Sequence, residues 1–175
     1  MSNVFICQGA PGSGKSTLAK EFAAKFNAVI CSADDFHMKN GKYCWKPENS
    51  GKGHKYCQEL AKKNIEAGVD VVIDNTNTTT KEMNFYIDVA RIHNAKIYIV
   101  RPDTEWALNV NELFIRNTHG VPMKTIEAMI DRIRLFMMVE KEYDSFGSNK
   151  PRLYHGDIQV ITKVEEVENV RTVAR

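Results

Sequence analysis

Only four cysteines stand in the 175 residues, and no two form a Cys-x-x-Cys pair. Cys44, His54 and Cys57, even with His37 added, match no standard zinc spacing. Cys7 and Cys31 sit in apolar runs, where a thiol is a small core group. This scarcity excludes a small disulfide-stapled scaffold and leads us to expect a reducing, cytoplasmic compartment. No apolar run approaches the ~18–20 residues of a membrane helix, so no membrane partner is expected. The N-terminus lacks the charged-then-apolar pattern of a secretory signal. An excess of one charge is missing too. The 24 Lys and Arg residues against 22 Asp and Glu leave a net charge of +2, which excludes a histone-like surface but still permits a local basic cleft. With no internal repeat and no dividing linker, residues 1–175 read as one domain.

What is present alternates between strand and helix. Asn3–Cys7 is a short apolar strand that runs straight into a glycine loop. Leu18, Phe22 and Phe26, with Ala19 and Ala23 beside them, mark one helix face. Ala28–Cys31 reads as a second strand. Residues 32 to about 52 show no period and read as a long loop, the kind that is often functional. A helix is expected from about Gly53 to Ala67, closed by Gly68, and a strand over Val69–Asp74 buried on both faces. Thr79-x-x-Glu82 is a capping box, followed by Met83, Tyr86, Ile87 and Ala90 at helical spacing. Lys96–Val100 is the next strand. Pro102 and Asp103 open a helix with Trp106, Val110, Leu113 and Phe114 inward. Pro122 suits the first turn of a helix whose apolar face is Ile126, Met129, Ile130, Ile133 and Met137. Beyond about residue 145 the tail is weakly patterned, with one strand at Ile158–Thr162. The alternation predicts an α/β fold: a mostly parallel sheet of about five strands, helices on both faces, and a helical lid over about 112–125.

Gly9-x-x-x-x-Gly14-Lys15-Ser16 is a full Walker A loop in its required setting, strand before and helix after. Glycines let successive backbone N–H groups turn toward phosphate oxygens, and the helix N-terminus adds partial positive charge. Gly12, Ser13 and Gly14 form the cradle. Lys15 can reach the β- and γ-phosphates, Ser16 can hold Mg²⁺, and Thr17 is placed for the α-phosphate. ATP and Mg²⁺ are the expected cofactors. The guanine-reading Asn-Lys-x-Asp motif is absent, because Asn149-Lys150 runs on into Pro151-Arg152. The paired acids of ring ATPases are also absent, since the third strand ends Ile73-Asp74-Asn75-Thr76-Asn77. A small kinase fits better than a GTPase or a motor.

Parallel strands present their carboxyl ends at one edge, which brings Asp34 and Asp35 beside the phosphate loop. One of the two can take a proton from an attacking hydroxyl or orient it. Asp74 can hold water on Mg²⁺, while Asn75, Thr76 and Asn77 can position a substrate or lid. Arg116, in the kinked segment Arg116–Pro122, is the candidate lid cation for charge on the γ-phosphate. Arg132 is a candidate for phosphate or adenine, and Arg134 on the same helix reads as surface. Phe36, Tyr43 and Trp45, interleaved with Lys39, Lys42 and Lys46, could stack on a base.

Together, Gly9–Thr17, Ser32-Ala33-Asp34-Asp35-Phe36, Ile73–Asn77 and Arg116–Pro122 resemble the kinase domain of phage-type polynucleotide 5′-kinases over roughly residues 3–140. The resemblance implies a P-loop kinase fold, Asp34 as general base on a nucleic acid 5′-hydroxyl, and a lid arginine on the γ-phosphate. Two positions depart from the pattern. The acceptor-phosphate arginine after the acidic pair is replaced by His37, with Lys39 nearby, and the lid arginine's place falls near His119. No Asp-x-Asp-x-Thr phosphatase motif exists here, so a combined kinase–phosphatase is not expected. The leading expectation is an ATP-dependent kinase acting on a hydroxyl of DNA or RNA. The alternatives are a kinase of a hydroxymethylated base such as hydroxymethyluracil, a small-metabolite or nucleoside kinase, and an ATP-switched binding module that transfers nothing.

Overall fold

The computed structural model describes residues 1–144 and 157–167. Five parallel strands form the central sheet: β1 (Asn3–Cys7), β2 (Val29–Cys31), β5 (Val71–Ile73), β6 (Lys96–Val100) and β7 (Ile158–Ile161), in the order β2-β5-β1-β6-β7. Strand residues point alternately to the two faces. Val4, Ile6, Val71, Ile73, Ile97 and Ile99 enter one apolar cluster, and Phe5, Cys7, Val72, Tyr98 and Val100 enter the other. Continuous apolar strands therefore need helices on both faces. On the first face lie α3 (Ser50–Glu66) and α4 (Thr80–Ile92), through Cys57, Ala61, Ile65, Met83, Tyr86, Ile87 and Ala90. On the second lies α1 (Lys15–Phe26), through Ala19 and Phe22. Phe22 and Tyr98 both pack on Phe5, with ring centroids 4.9 and 5.1 Å away.

A third apolar cluster lies against the glycine loop. Leu113 of α5 (Val110–Arg116) and Ile126, Ile130 and Ile133 of α6 (Met123–Asp144) pack with Ala10 of the glycine loop. The predicted lid range thus spans the end of α5, the link and the start of α6, seated directly on the phosphate loop. The capping box at Thr79 forms as expected: Thr79 Oγ1 accepts from Glu82 N at 3.3 Å, and Thr79 N donates to Glu82 Oε2 at 3.2 Å.

Three expectations need correction. The stretch from 32 to 52 is not one irregular loop. It holds a short helix α2 (Ala33–His37), a hairpin of β3 (Met38–Lys39) and β4 (Lys42–Tyr43), a 3₁₀ turn (Pro47–Asn49) and the start of α3. The Asn40-Gly41 turn makes the hairpin possible, because both residues take positive φ, 50° and 76°, as a two-residue turn matched to strand twist requires. No helix begins at Pro102 either. Thr104 Oγ1 donates to Ser13 O at 3.0 Å and Trp106 Nε1 to Gly12 O at 3.1 Å, and these bonds hold the segment in turns until Asn109 caps α5. Phe114 is exposed rather than inward, whereas Leu113 is fully buried. The tail strand forms at the sheet edge beside β6, while residues 145–156 and 168–175 of the tail lie outside the described residues.

Candidate active site

β1 ends at Cys7, and the loop that follows is bent at Gly12 (φ 81°) and Gly14 (φ 95°). Side chains are strained in this region and glycine is not. Space also requires glycine at position 12, where a Cβ would lie 2.7 Å from Leu113 O and 3.1 Å from Asn117 N. Gly14 sits at the N-cap of α1 and supplies no side chain to the first turn, so those backbone N–H groups carry no cap. The Ser13 hydroxyl is buried and, among the described residues, lacks a hydrogen-bond partner. An uncapped helix start, a glycine cradle and an orphaned hydroxyl together suit a bound phosphate chain. Lys15 and Ser16 line the adjoining cleft of about 530 Å³, and Thr17 follows on the exposed first turn. Lys15 Nζ donates to Asp74 Oδ1 at 3.4 Å, with both side chains almost buried.

The end of β5 builds the acidic wall. Ser32 caps α2: its Oγ accepts from Asp34 N at 3.2 Å and donates to Asp74 O at 3.1 Å. Asn75 Oδ1 accepts from Ala33 N at 2.9 Å, and its Nδ2 donates to Cys57 Sγ at 3.3 Å and Tyr86 Oη at 3.4 Å. Asn77, at φ 45°, donates to Cys7 O at 2.8 Å, and Thr76 O accepts from Gly9 N. Asn75 and Asn77 therefore spend their amides bracing strand ends and helix starts, although both were expected to face a substrate. Asp74, Asn75 and Thr76 still line the cleft, and Asn77 does not.

Asp34 faces the cleft and Asp35 does not. Burial first, then the charges of Asp34 and Asp74, push the Asp35 carboxyl above its ordinary 3.8. A raised folded-state value opposes folding while the group is ionised. That cost is full above the raised value, fades as pH falls through it and is absent below about 3.8. Asp35→Asn should therefore raise Tm at pH 8 by about 2 °C, a small shift because the carboxyl is only partly withdrawn from water, which screens its charge. Below pH 4 the melting curves of variant and parent should coincide. An equal gain at both pH values would show that charge is not the cause.

The Asp34 carboxylate has two neighbours that sequence reasoning did not pair with it. Tyr43 Oη donates to Oδ1 at 2.8 Å, and His119 Nε2 lies 3.8 Å from Oδ2. The Tyr43 and His119 rings meet edge to face at 4.7 Å between centroids. The Asn40-Gly41 turn was the available signal for Tyr43, since it fixes the hairpin that points this ring inward. His37 is buried and lines the cleft beside His54. Arg116, by contrast, is not among the lining residues. Its guanidinium lies 4.0 Å from the Trp106 ring centroid, and its Nε donates to Glu112 Oε2 at 3.3 Å. Arg132 also points elsewhere, donating from Nε to Thr78 Oγ1 at 3.0 Å, and Arg134 donates to Leu108 O. No cluster of three or more His, Cys, Asp and Glu side chains placed to hold a metal forms among the described residues.

A family model described as an AAA domain matches residues 4–136, a span that runs from β1 through the phosphate loop and Asp34 into α6. The chain belongs to that family. It is a P-loop kinase domain, and β5 is followed by one acid, Asp74, and then the bracing Asn75. Human NEDD4-binding protein 2 is 35% identical over 77% of this chain, which corresponds to 8% of that protein. Among solved structures, a chain of the Pnkp1/Rnl/Hen1 RNA repair complex superposes with a TM-score of 0.64 at 25% identity, covering 78% of this chain and 45% of that one. A gluconokinase from Sinorhizobium meliloti 1021 superposes over 99% of this domain and 98% of its own length, with a TM-score of 0.57 and 12% identity, a likeness of fold alone. This domain thus spans less than half of the first two relatives. No helix among its described residues is long and apolar enough to cross a membrane.

Proposed function

We propose that this domain transfers the γ-phosphoryl group of ATP to a hydroxyl of a nucleic acid, the 5′-hydroxyl end of DNA or RNA being the acceptor. The observation that carries the reading is that Lys15, Ser16 and Asp34 line one cleft. The uncapped start of α1, the loop amides around Gly12–Gly14 and Lys15 hold the phosphates. Ser16 would hold Mg²⁺, which when bound neutralises charge on the phosphate oxygens. Asp34 receives the proton of the acceptor's hydroxyl as that hydroxyl's oxygen bonds to the γ-phosphorus, and the bond from that phosphorus to the departing oxygen of ADP breaks. His119, rather than Arg116, is the lid residue assigned to the cleft, and Arg132 serves the start of α4 rather than the nucleotide. Tyr43 and Trp45 offer half-exposed rings at the acceptor side, with Lys39, Lys42 and Lys46 exposed near them. The RNA repair neighbour supports a nucleic acid acceptor over a small metabolite.

The test is transfer from γ-labelled ATP with Mg²⁺ to four acceptors. These are 5′-hydroxyl single-stranded DNA, the same strand as RNA, end-blocked duplex carrying hydroxymethyluracil, and a mixture of nucleosides and sugars. Label on a strand end is the expected result. Label only on the blocked duplex moves the acceptor to the base, and label only on the small molecules makes this a metabolite kinase. Tight ATP binding with no label anywhere leaves an ATP-switched module.

A further inference from the structure

We infer that Tyr43 is a positioning residue for Asp34: its phenol fixes Oδ1 and leaves Oδ2 as the oxygen turned to the acceptor. This rests on the kinase reading above. A carboxylate on a short, half-exposed helix can rotate about its side-chain bonds, and a base that rotates is out of line with the attacking hydroxyl for part of the time. Tyr43 Oη removes that freedom with a charge-assisted bond of 2.8 Å. Among the described residues Oδ2 has no such bond, and His119 Nε2 lies 3.8 Å from it.

The phenol is itself held from several sides. The hairpin register sets Met38 opposite Tyr43, and Cys44 N donates to His37 O at 2.8 Å just beyond it. The Tyr43 ring meets His37 edge to face at 6.2 Å and His119 at 4.7 Å. His37 is fixed in turn by the close approach of α2 and α3, where a Cβ on Gly53 would stand 2.6 Å from His37 Nε2 and 3.0 Å from Ala33 O. A run of contacts thus leads from a helical glycine through an imidazole and a phenol to the carboxylate. Burial, then the bond to Asp34 and its charge, push the Tyr43 phenol well above its ordinary value, so it stays a donor through the working pH range.

Tyr43→Phe keeps the ring and removes only the donor. It should lower kcat about tenfold, part of the ~100-fold that misplacing a reacting group costs, with KM for ATP and Tm unchanged. In an Asp34→Asn background the same change should cost nothing further, because its effect passes through the carboxylate. A second reading needs no turnover: ultraviolet titration of the tyrosines, in which one phenol of the parent should ionise at lower pH in Asp34→Asn. Equal losses in both backgrounds would place Tyr43 on the substrate and overturn the inference. So would an unchanged kcat in Tyr43→Phe, or tyrosine titrations that ignore Asp34→Asn. If the parent chain labels no acceptor, the kinase reading falls and this role with it; label that ignores Tyr43→Phe overturns the positioning role alone.

Discussion

Asp34→Asn should reduce phosphoryl transfer by about 10²–10⁴-fold, the usual worth of general base catalysis, while leaving ATP affinity unchanged. The substitution is nearly isosteric and disturbs little else. The amide oxygen can still accept from Tyr43 Oη, and the cap on α2 uses the Asp34 backbone N–H, not its side chain. The phosphate side of the cleft is built from other residues: Lys15 on Asp74, the glycine loop under α5, and the start of α1. Single-turnover transfer with labelled ATP, set beside calorimetric ATP binding, separates the two effects. A loss of both together would mean that the variant has distorted the phosphate loop. A fall of less than threefold would take the base role from Asp34 and favour an acceptor that needs no proton acceptor, or a module that transfers nothing.

The largest expected effect on stability lies outside the cleft, at Arg101. This side chain follows β6 and is almost buried. It forms a bidentate pair with Glu140 of α6, at 2.6 and 2.7 Å, while its Nε donates to Gln8 Oε1 at 2.6 Å. Gln8 in turn donates to Asn77 O at 3.0 Å. The α6 helix is thereby tied to the base of the phosphate loop through one guanidinium. Glu140→Ala strands a buried cation and should cost about 3 kcal/mol or more, a fall in Tm of roughly 10 °C for a chain of this size. Replacing both partners with apolar residues, as in Arg101→Met with Glu140→Leu, should restore most of the loss, since no charge is then left unpaired. Thermal melts and urea curves of the single and double variants check this. A single-variant loss below 1 kcal/mol would mean that water reaches the pair and screens it.

Several features were legible in short stretches of chain. The Walker loop, the alternation of apolar strands and amphipathic helices, and the Thr79 capping box each depend on residues within a few positions of one another. Such features survive because neighbouring residues share one local geometry whatever surrounds them. The expected burial of Met83, Tyr86, Ile87 and Ala90 on α4 and of Ile126, Ile130 and Ile133 on α6 follows from the same local periodicity. The sheet of five parallel strands with helices on both faces followed from the order of those elements and from strands apolar on both sides.

Roles that turned on direction were not legible. Arg116 and His119 are three residues apart in one kinked link, and nothing local says which faces the cleft. Trp106 decides it, since its ring holds the Arg116 guanidinium outside while its indole N–H is tied to Gly12, 94 residues away. Asn75 and Asn77 look like substrate ligands in sequence, yet they satisfy buried backbone groups, among them Ala33 N, 42 positions distant, and Cys7 O, 70 positions distant. Of two adjacent acids, Asp34 faces the cleft because Ser32 and Asn75 set how α2 leaves the sheet. By itself, then, the sequence determined the α/β class, the phosphate loop and the pool of candidate side chains, all properties of short segments. Which candidates share a cleft, and which of them merely brace it, was decided by tertiary structure, because the hydrogen bonds that orient those side chains close between residues tens of positions apart.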